Sequence, residues 1–413
     1  MTESGTEHLV VVGASLAGLR AVQAARKAGF SGRLSLVGVE EHLPYDRPPL
    51  SKEYLDAGDE EPKMPTFRTE DELRNELDVQ LLLSTRATGL DADRKVLKTE
   101  SAGKAGEVPY DYLIIATGAD ARNLPGADEI EGVYTLRTLD DAVAVRAALE
   151  AGARTVVVGA GFIGSEVASG ARKRGLTVTV LEGLPVPLVR SVGEEMGHAC
   201  AELHRAHGTD LRTGVMVKGL ESKDGKVTGV TLDDGSTVPA DLVVVGVGVK
   251  PCTEWLEGSG VTLHERDGGI VCDETLSTGV PGVYAAGDVA HFPHPLFDGA
   301  VMRLEHWTNA AEQGALSAKN ALNPAEAKAA TGVPYFWSDW YGSRIQFVGI
   351  PQADEIRVVS QELGEDKFLA LYRRGDRLTG CITIDRPTQI MKYRRMIAQS
   401  KSWKEALEFA GVS

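Results

Sequence analysis

One arrangement occurs twice in this chain, and it limits the fold more than any other feature. Val10-Val11-Val12-Gly13-Ala14 reappears as Val156-Val157-Val158-Gly159-Ala160, 146 positions on. Gly18 is matched by Gly164, Ala25-Arg26-Lys27 by Ala171-Arg172-Lys173, and Gly29 by Gly175, at the same offset. Each copy reads as a β-branched run, a glycine turn, a helix, a further glycine and a second β-branched run, at residues 34–38 and 178–181. That order predicts two βαβ units, each with a parallel sheet.

The glycine turns have a specific physical use. The first glycine makes the tight strand-to-helix turn, the second lets backbone approach a pyrophosphate, and the third lets helix and strand pack closely. The helix N-terminus then presents unpaired N–H groups and the positive end of its dipole to phosphate. Gly159-Ala160-Gly161-Phe162-Ile163-Gly164 is complete, whereas Gly13-Ala14-Ser15-Leu16-Ala17-Gly18 has serine at the middle position. An acid follows each copy: Glu40 lies 22 residues past Gly18, and Glu182 lies 18 past Gly164. An acid that ends the second strand can bond ribose hydroxyls. One such motif is weak; two, each between a strand and a helix, predict two dinucleotide sites.

The remaining bulk features are mainly exclusions. A length of 413 residues suggests two or three domains. A net charge of −15 speaks against a nucleic-acid coat protein. Residues 1–8 are polar and acidic, so no secretory signal is expected. No apolar stretch approaches the roughly 18 residues of a membrane span, and residues 242–249 read as a buried strand. Cys200, Cys252, Cys272 and Cys381 form no C-x-x-C pair, so neither a disulfide framework nor a zinc ribbon is expected. A cytoplasmic protein with inert thiols is the expectation.

Further stretches carry a resemblance across residues 8–400. They are Pro44-Tyr45-Asp46-Arg47-Pro48-Pro49-Leu50-Ser51-Lys52, Ala116-Thr117-Gly118, Leu136-Arg137-Thr138, Gly282-Val283-Tyr284-Ala285-Ala286-Gly287-Asp288, and the blocks 303–314 and 334–341. Together with the fingerprints they resemble the NADH-dependent ferredoxin reductases of oxygenase systems, the group of putidaredoxin reductase, rubredoxin reductase and the biphenyl dioxygenase reductase. The resemblance implies an α/β fold: two Rossmann-like domains arranged as in glutathione reductase, plus a C-terminal α+β domain. It implies a discontinuous FAD-binding domain at 7–120 and 245–325, an NAD-binding domain at 121–244, and a C-terminal domain at 330–413. FAD belongs to the first fingerprint and NADH, as substrate, to the second. Electrons then leave singly to a small iron–sulfur carrier, a ferredoxin or a rubredoxin, that feeds a P450 or a ring-hydroxylating oxygenase. Arg137 and Asp288 reach FAD in this picture. Arg47, Ala87, Ala116, Thr117, Gly118, Arg190 and Gly248 are cofactor-binding positions by the same resemblance. Trp340 and Asp385 depart from the family, which has glutamine and asparagine there; both bear on the partner rather than the cofactors.

Several side chains carry sharper expectations. By resemblance, Lys52 and Glu166, from different domains, meet beside flavin N5 and the nicotinamide, where an ion pair fixes the geometry of hydride transfer. Thr308 is expected to cap a helix that runs to Ala321; by the same resemblance that helix points at the flavin, with Trp307 before it covering the ring. Cys200, His204 and His207 share a helical face; a solvated face is favoured over a metal site. His291 and His294 read as loop residues. A basic rim of Arg303, Arg344, Lys392, Arg394 and Arg395, with Tyr335, Phe336 and Trp337 beneath, is expected to steer an acidic carrier. The rival readings are a disulfide reductase, which the absence of cysteine at residues 48–50 disfavours, a redox-sensing flavoprotein of the apoptosis-inducing-factor type, and an NADH oxidase.

Overall fold

The computed structural model describes residues 7–56, 62–361 and 367–412. The chain divides into two compact units. The first collects Met1–Asp46, Met64–Asp120 and Lys250–Pro334; the second collects Arg47–Lys63, Ala121–Val249 and Tyr335–Ser413.

In the first unit the β-branched run forms the strand His8–Val12 at the centre of a five-stranded parallel sheet. The spatial order is Val283–Ala285, Tyr112–Ile115, His8–Val12, Arg33–Val37, Gln80–Leu82. Alternation places Val10 and Val12 in one core, with Leu113, Ile115 and Val283, and Leu9 and Val11 in the other, with Leu34, Leu36 and Ile114. Apolar cover on both faces is what makes a parallel strand a continuous apolar run. The fingerprint helix Leu16–Lys27 packs against the late helix Trp307–Leu322. They meet so closely that a Cβ on Gly314 would lie 2.1 Å from the carbonyl oxygen of Ala17. The late helix begins two residues earlier than expected: its N-cap is His306, and Thr308 lies inside the first turn.

The second unit repeats the design. Its parallel sheet runs Asp210–Thr213, Val178–Glu182, Thr155–Val158, Leu242–Val245, Val133–Tyr134. The strand expected over residues 242–249 stops at Val245. There Gly159 must pass within contact of the Gly246 carbonyl, and Val247 turns outward, 40% exposed. The unit also contains an antiparallel five-stranded sheet, Tyr335–Trp340, Ser343–Gly349, Arg377–Ile384, Phe368–Arg374, Glu355–Gln361, with the helices Pro387–Ala398 and Trp403–Ala410. Phe336, Trp340, Ile345 and Tyr372 of that sheet share one core with Leu188, Val192, Met196, Cys200 and Leu203. The Tyr372 hydroxyl donates to the Val192 carbonyl at 2.5 Å.

Candidate active site

Both fingerprint turns are glycine for steric reasons. Gly13 has φ +116° and Gly159 φ +100°, values that cost an L side chain dearly. A Cβ on Gly13 would sit 2.0 Å from the Ala116 carbonyl oxygen, and one on Gly18 1.9 Å from that of Gly13. In the second copy the corresponding approaches are 2.3 Å for Gly159 to the Gly246 oxygen and 2.2 Å for Gly164 to the Gly159 oxygen. The middle position differs: a Cβ on Gly161 would meet only the Gly246 oxygen, at 3.8 Å. That is why Ser15 is accommodated as N-cap of the first helix, with extended backbone at φ −111°. Neither helix receives a side-chain capping bond, so the first-turn N–H groups of Leu16, Ala17 and Gly18, and of Phe162, Ile163 and Gly164, face the side from which a pyrophosphate would come.

A second observation fits a bound dinucleotide in the first unit. The Gln313 side chain is buried, and its oxygen accepts from the Gly287 N–H at 2.9 Å. Its Nε2 is buried with no partner in the protein, beside the turn Gly287–Val289 that carries Asp288. A buried amide with unused donors is costly unless an acceptor arrives. Around it, Thr117 donates to the Cys252 carbonyl at 2.7 Å, and the Cys252 N–H donates to Gly118 at 3.0 Å. The Trp307 indole donates to Asp46 at 2.7 Å. The Tyr45 hydroxyl donates to Glu40 at 2.5 Å. Ala87 lies half-buried on the strand Arg86–Asp91.

In the second unit Glu182 ends its strand with both oxygens engaged, accepting from the Ala160 N–H at 2.7 Å and the Leu184 N–H at 2.8 Å. The carboxylate is thereby fixed at the edge of the glycine turn. Arg190 is exposed on the short helix Val189–Val192. Gly248 adopts φ +107°, and its carbonyl accepts from the Arg122 N–H at 2.9 Å. Phe162 packs on Phe336, ring centroids 4.6 Å apart, and Ile163 is 38% exposed. The Arg47 guanidinium donates to the Arg137 carbonyl at 2.5 Å.

Lys52 and Glu166 meet at 2.9 Å, and both lie in the second unit. Glu166 is 3% exposed. Its carboxylate also accepts from Ser51 on one oxygen and from Ser338 on the other. The Trp340 indole N–H donates to Ser338 at 2.7 Å. Lys52 donates further to the Pro48 carbonyl at 3.3 Å. Ser51, Ser338 and Trp340 were not expected in the network around Glu166. Ser51 adjoins Lys52 in the proline loop, and Ser338 falls on the buried phase of an alternating strand, which were the available signals. Trp340, expected to bear on the partner, is instead fully buried and one hydrogen bond removed from Glu166.

The helical face of Cys200, His204 and His207 is not solvated. It packs on the C-terminal sheet because Met196, Cys200 and Leu203 continue the same apolar stripe. His204 is bonded on both ring nitrogens, to the Tyr341 hydroxyl at 2.7 Å and Ser165 at 3.1 Å, and Tyr341 also bonds Thr209 at 2.8 Å. Burial pushes its pKa down to about 4. The folded protein therefore holds this ring neutral, and the associated stability, full above the unfolded value of 6.5, is lost as pH falls toward 4. The loss amounts to about 3 kcal/mol. Urea midpoints should fall markedly between pH 7 and pH 4.5, and less so for His204→Gln; a midpoint flat over that range would contradict this.

His291 and His294 are strand residues of Ala290–His294, not loop residues, because the antiparallel partner Ala300–Arg303 pairs with them. His291 bonds Asp267 at 2.9 Å, and His264 stacks on it at 4.2 Å. Arg303 joins this group at 3.0 Å from Asp267, and it donates to the Asp288 carbonyl at 2.8 Å. With its side chain 12% exposed and flanked also by Glu305, Arg303 does not contribute to a basic rim. Nor does Arg344, which is neutralised by Asp339 at 2.7 Å. Phe336 points into the core, whereas Tyr335 and Trp337 stack on the opposite strand face, with the Arg394 guanidinium 5.8 Å from the Tyr335 ring.

Comparison with known proteins agrees with this geometry. The family described as pyridine nucleotide-disulphide oxidoreductase matches residues 7–314, and the one described as reductase C-terminal matches residues 335–408. Rhodocoxin reductase of Rhodococcus erythropolis is 36% identical over 94% of this chain and 89% of its own. The crystal structure of the ferredoxin reductase for the CYP199A2 system from Rhodopseudomonas palustris superposes with a TM-score of 0.89 at 34% identity, covering 96% of this chain and 95% of that one. The putidaredoxin reductase in its covalent complex with putidaredoxin gives 0.87 at 35% identity, covering 95% and 93%. Despite the family's description, all four cysteines here are free, and burial raises the thiols of Cys200, Cys272 and Cys381. Two glycine fingerprints, a C-terminal domain of the reductase type and relatives matched over nearly their full length place this chain in the pyridine nucleotide-disulphide oxidoreductase family, within its group of ferredoxin reductases.

Proposed function

We propose that the protein is an FAD-dependent NADH:ferredoxin oxidoreductase. FAD, held on the first glycine turn, Gly13–Gly18, would supply acceptance of a hydride from NADH and release of single electrons to a small iron–sulfur carrier that feeds an oxygenase of the P450 or ring-hydroxylating kind. The observation that carries this is the presence of two glycine-turn sites, one in each compact unit, with no cysteine pair to take the electrons onward. We assign FAD to residues 7–120 and 245–325, NADH to 121–244, and the carrier's dock to 330–413. No described helix is long and apolar enough to cross a membrane, which accords with a cytoplasmic site of action.

Hydride transfer needs no acid or base from the protein; it needs the donor and acceptor atoms held in line. The chain's part is to bind the pyrophosphates on two helix N-termini, to bond the adenosine ribose through Glu182, and to hold Lys52 in place through Glu166. The test is direct. The purified protein should carry non-covalent FAD that NADH bleaches without oxygen, and it should then reduce a [2Fe–2S] ferredoxin in many turnovers. FMN in place of FAD, or NADH bleaching with no transfer to any iron–sulfur carrier, refutes the assignment.

NADH is expected to be preferred over NADPH by at least about tenfold in kcat/KM. That ratio needs about 1.4 kcal/mol, and a carboxylate set rigidly against a 2′-phosphate supplies it. Comparable kcat/KM for the two nucleotides would show that Glu182 does not face the ribose.

The carrier's dock is assigned to Lys392, Arg394 and Arg395 on the helix Pro387–Ala398, beside the Tyr335–Trp337 stack. A protein of net charge −15 repels an acidic partner at range, so a local basic face has to steer the encounter. The Debye length is about 8 Å at physiological salt, so added salt should raise KM for the carrier and leave NADH-to-ferricyanide turnover unchanged. Arg394→Glu with Arg395→Glu should raise that KM about tenfold at low salt. Wild-type KM in the double variant would place the dock elsewhere.

A further inference from the structure

We propose that Ser338 and Trp340 are positioning residues for hydride transfer, acting on Lys52 through the Glu166 carboxylate. The inference rests on the reading of Lys52–Glu166 as the pair that orders the transfer. An indole N–H is a donor only, and a serine hydroxyl has one proton to give. With Trp340 donating to Ser338 at 2.7 Å, the oxygen of Ser338 acts as acceptor on that side, and its single proton goes to Glu166. The polarity of the chain is therefore fixed in one direction: indole to hydroxyl, hydroxyl to carboxylate. Ser51 holds the other carboxylate oxygen.

The consequence is mechanical. Ser338 and Lys52 share one oxygen of Glu166 while Ser51 takes the other, so the carboxylate cannot turn about its terminal bond without breaking hydrogen bonds on both sides. Trp340 and Ser338 are both fully buried, so water does not replace a lost bond. The strand supplies the lever. Ser338 and Trp340 occupy alternate positions of Tyr335–Trp340 and so face the same way. The next residue, Tyr341, donates its backbone N–H to Ser169 at 2.7 Å, which ties the strand end to the same helix that carries Glu166. The Trp340 ring also lies against His204, 5.0 Å between centroids, and His204 bonds Ser165, the neighbour of Glu166. The strand and its end thus hold the fingerprint helix directly at Glu166 and Ser169, and indirectly, through His204, at Ser165, and the Lys52 ammonium is aimed from there.

The experiment compares Ser338→Ala, Trp340→Phe and Glu166→Ala by two readouts. The first is competitive acylation of Lys52 followed by mass spectrometry, on holoenzyme without NADH. The second is stopped-flow flavin reduction, resolved into NADH affinity and limiting rate. Ser338→Ala should raise Lys52 labelling and lower the limiting rate about tenfold, as expected for losing a bond to a buried charge. Trp340→Phe keeps the bulk, removes only the indole donor, and should give a smaller shift in the same direction. NADH affinity should stay within about twofold in both. Unchanged labelling in Ser338→Ala overturns the proposal whatever the rates show. If Glu166→Ala slows reduction but Ser338→Ala does not, the relay is overturned and the ion-pair reading stands. If Glu166→Ala also leaves the rate untouched, the ion-pair reading fails, and the relay with it. Ser338→Ala changes a single buried hydroxyl, so the test stands even if Trp340→Phe does not fold.

Discussion

Gly314→Val should be recovered as a chain without flavin. The late helix Trp307–Leu322 crosses the first fingerprint helix at Gly314, where a Cβ would stand 2.1 Å from the Ala17 carbonyl oxygen and 2.9 Å from its Cα. Those are backbone atoms on both sides, so no rotamer change relieves the clash. The helices must separate, and the separation acts where it does most harm. Ala17 is in the first turn of the helix whose N–H groups would hold the FAD pyrophosphate, and one residue before Gly314 is Gln313, whose amide anchors Gly287 next to Asp288. Both halves of the flavin cradle move together. Overpacking of this kind costs about 3 kcal/mol, and the lost cofactor removes its own binding energy from stability as well. The check is the visible spectrum of the purified variant and its thermal midpoint with and without added FAD. A variant with a full complement of flavin and the wild-type midpoint would show that the helices can part without disturbing the site. Asp288→Ala, which removes one polar contact and leaves the backbone in place, should weaken retention more mildly.

Glu166→Ala should keep its FAD and yet be reduced by NADH about a hundredfold more slowly. Retention follows from position: Glu166 lies in the unit that carries the second fingerprint, and the fingerprint we assign to FAD is in the other. The slowing follows from what the carboxylate organises. It gathers Lys52, Ser51 and Ser338 on two oxygens, and removing it leaves an ammonium 15% exposed whose remaining partner, among the described residues, is the Pro48 carbonyl. A buried charge deprived of its partner rearranges, and displacement of a positioning group by about 1 Å can cost about a hundredfold in rate. Anaerobic stopped-flow bleaching of the flavin band measures it. A wild-type rate would mean that nicotinamide alignment owes nothing to this ion pair.

The two glycine-turn folds were legible because they are written in short, regular spacing, whereas the Lys52–Glu166 pair, 114 positions apart, came from the family resemblance alone. The glycine turns are constrained by backbone clashes within a few residues, and such local constraints leave local traces. The other side chains around Glu166 left no such trace. Alternation shows that Phe336, Ser338 and Trp340 share a face, but what that face meets is a helix more than 160 residues earlier. The histidine face was legible in part: Met196, Cys200 and Leu203 already formed an apolar stripe, and His204 sits on its edge. Read with those neighbours, a buried ring was the better expectation. Arg303 and Arg344 looked like free cations because their neutralising partners, Asp267 and Asp339, are supplied by strand pairing and turn geometry that a charge count does not contain.

The shared core between the C-terminal sheet and the helix Glu194–Ala206 has a consequence for engineering. The family matches end at residue 314 and resume at 335, which invites a modular exchange of residues 335–412 with those of a related reductase. It is not modular in packing. Trp340, Ile345, Phe347 and Tyr372 would be replaced while Leu188, Val192, Met196 and Leu203 stayed behind, leaving two half-cores that never evolved together. A chimera that transplants those residues along with the sheet keeps the interdigitation intact, and under the assignment proposed above such a graft would change the electron acceptor without disturbing the half assigned to NADH.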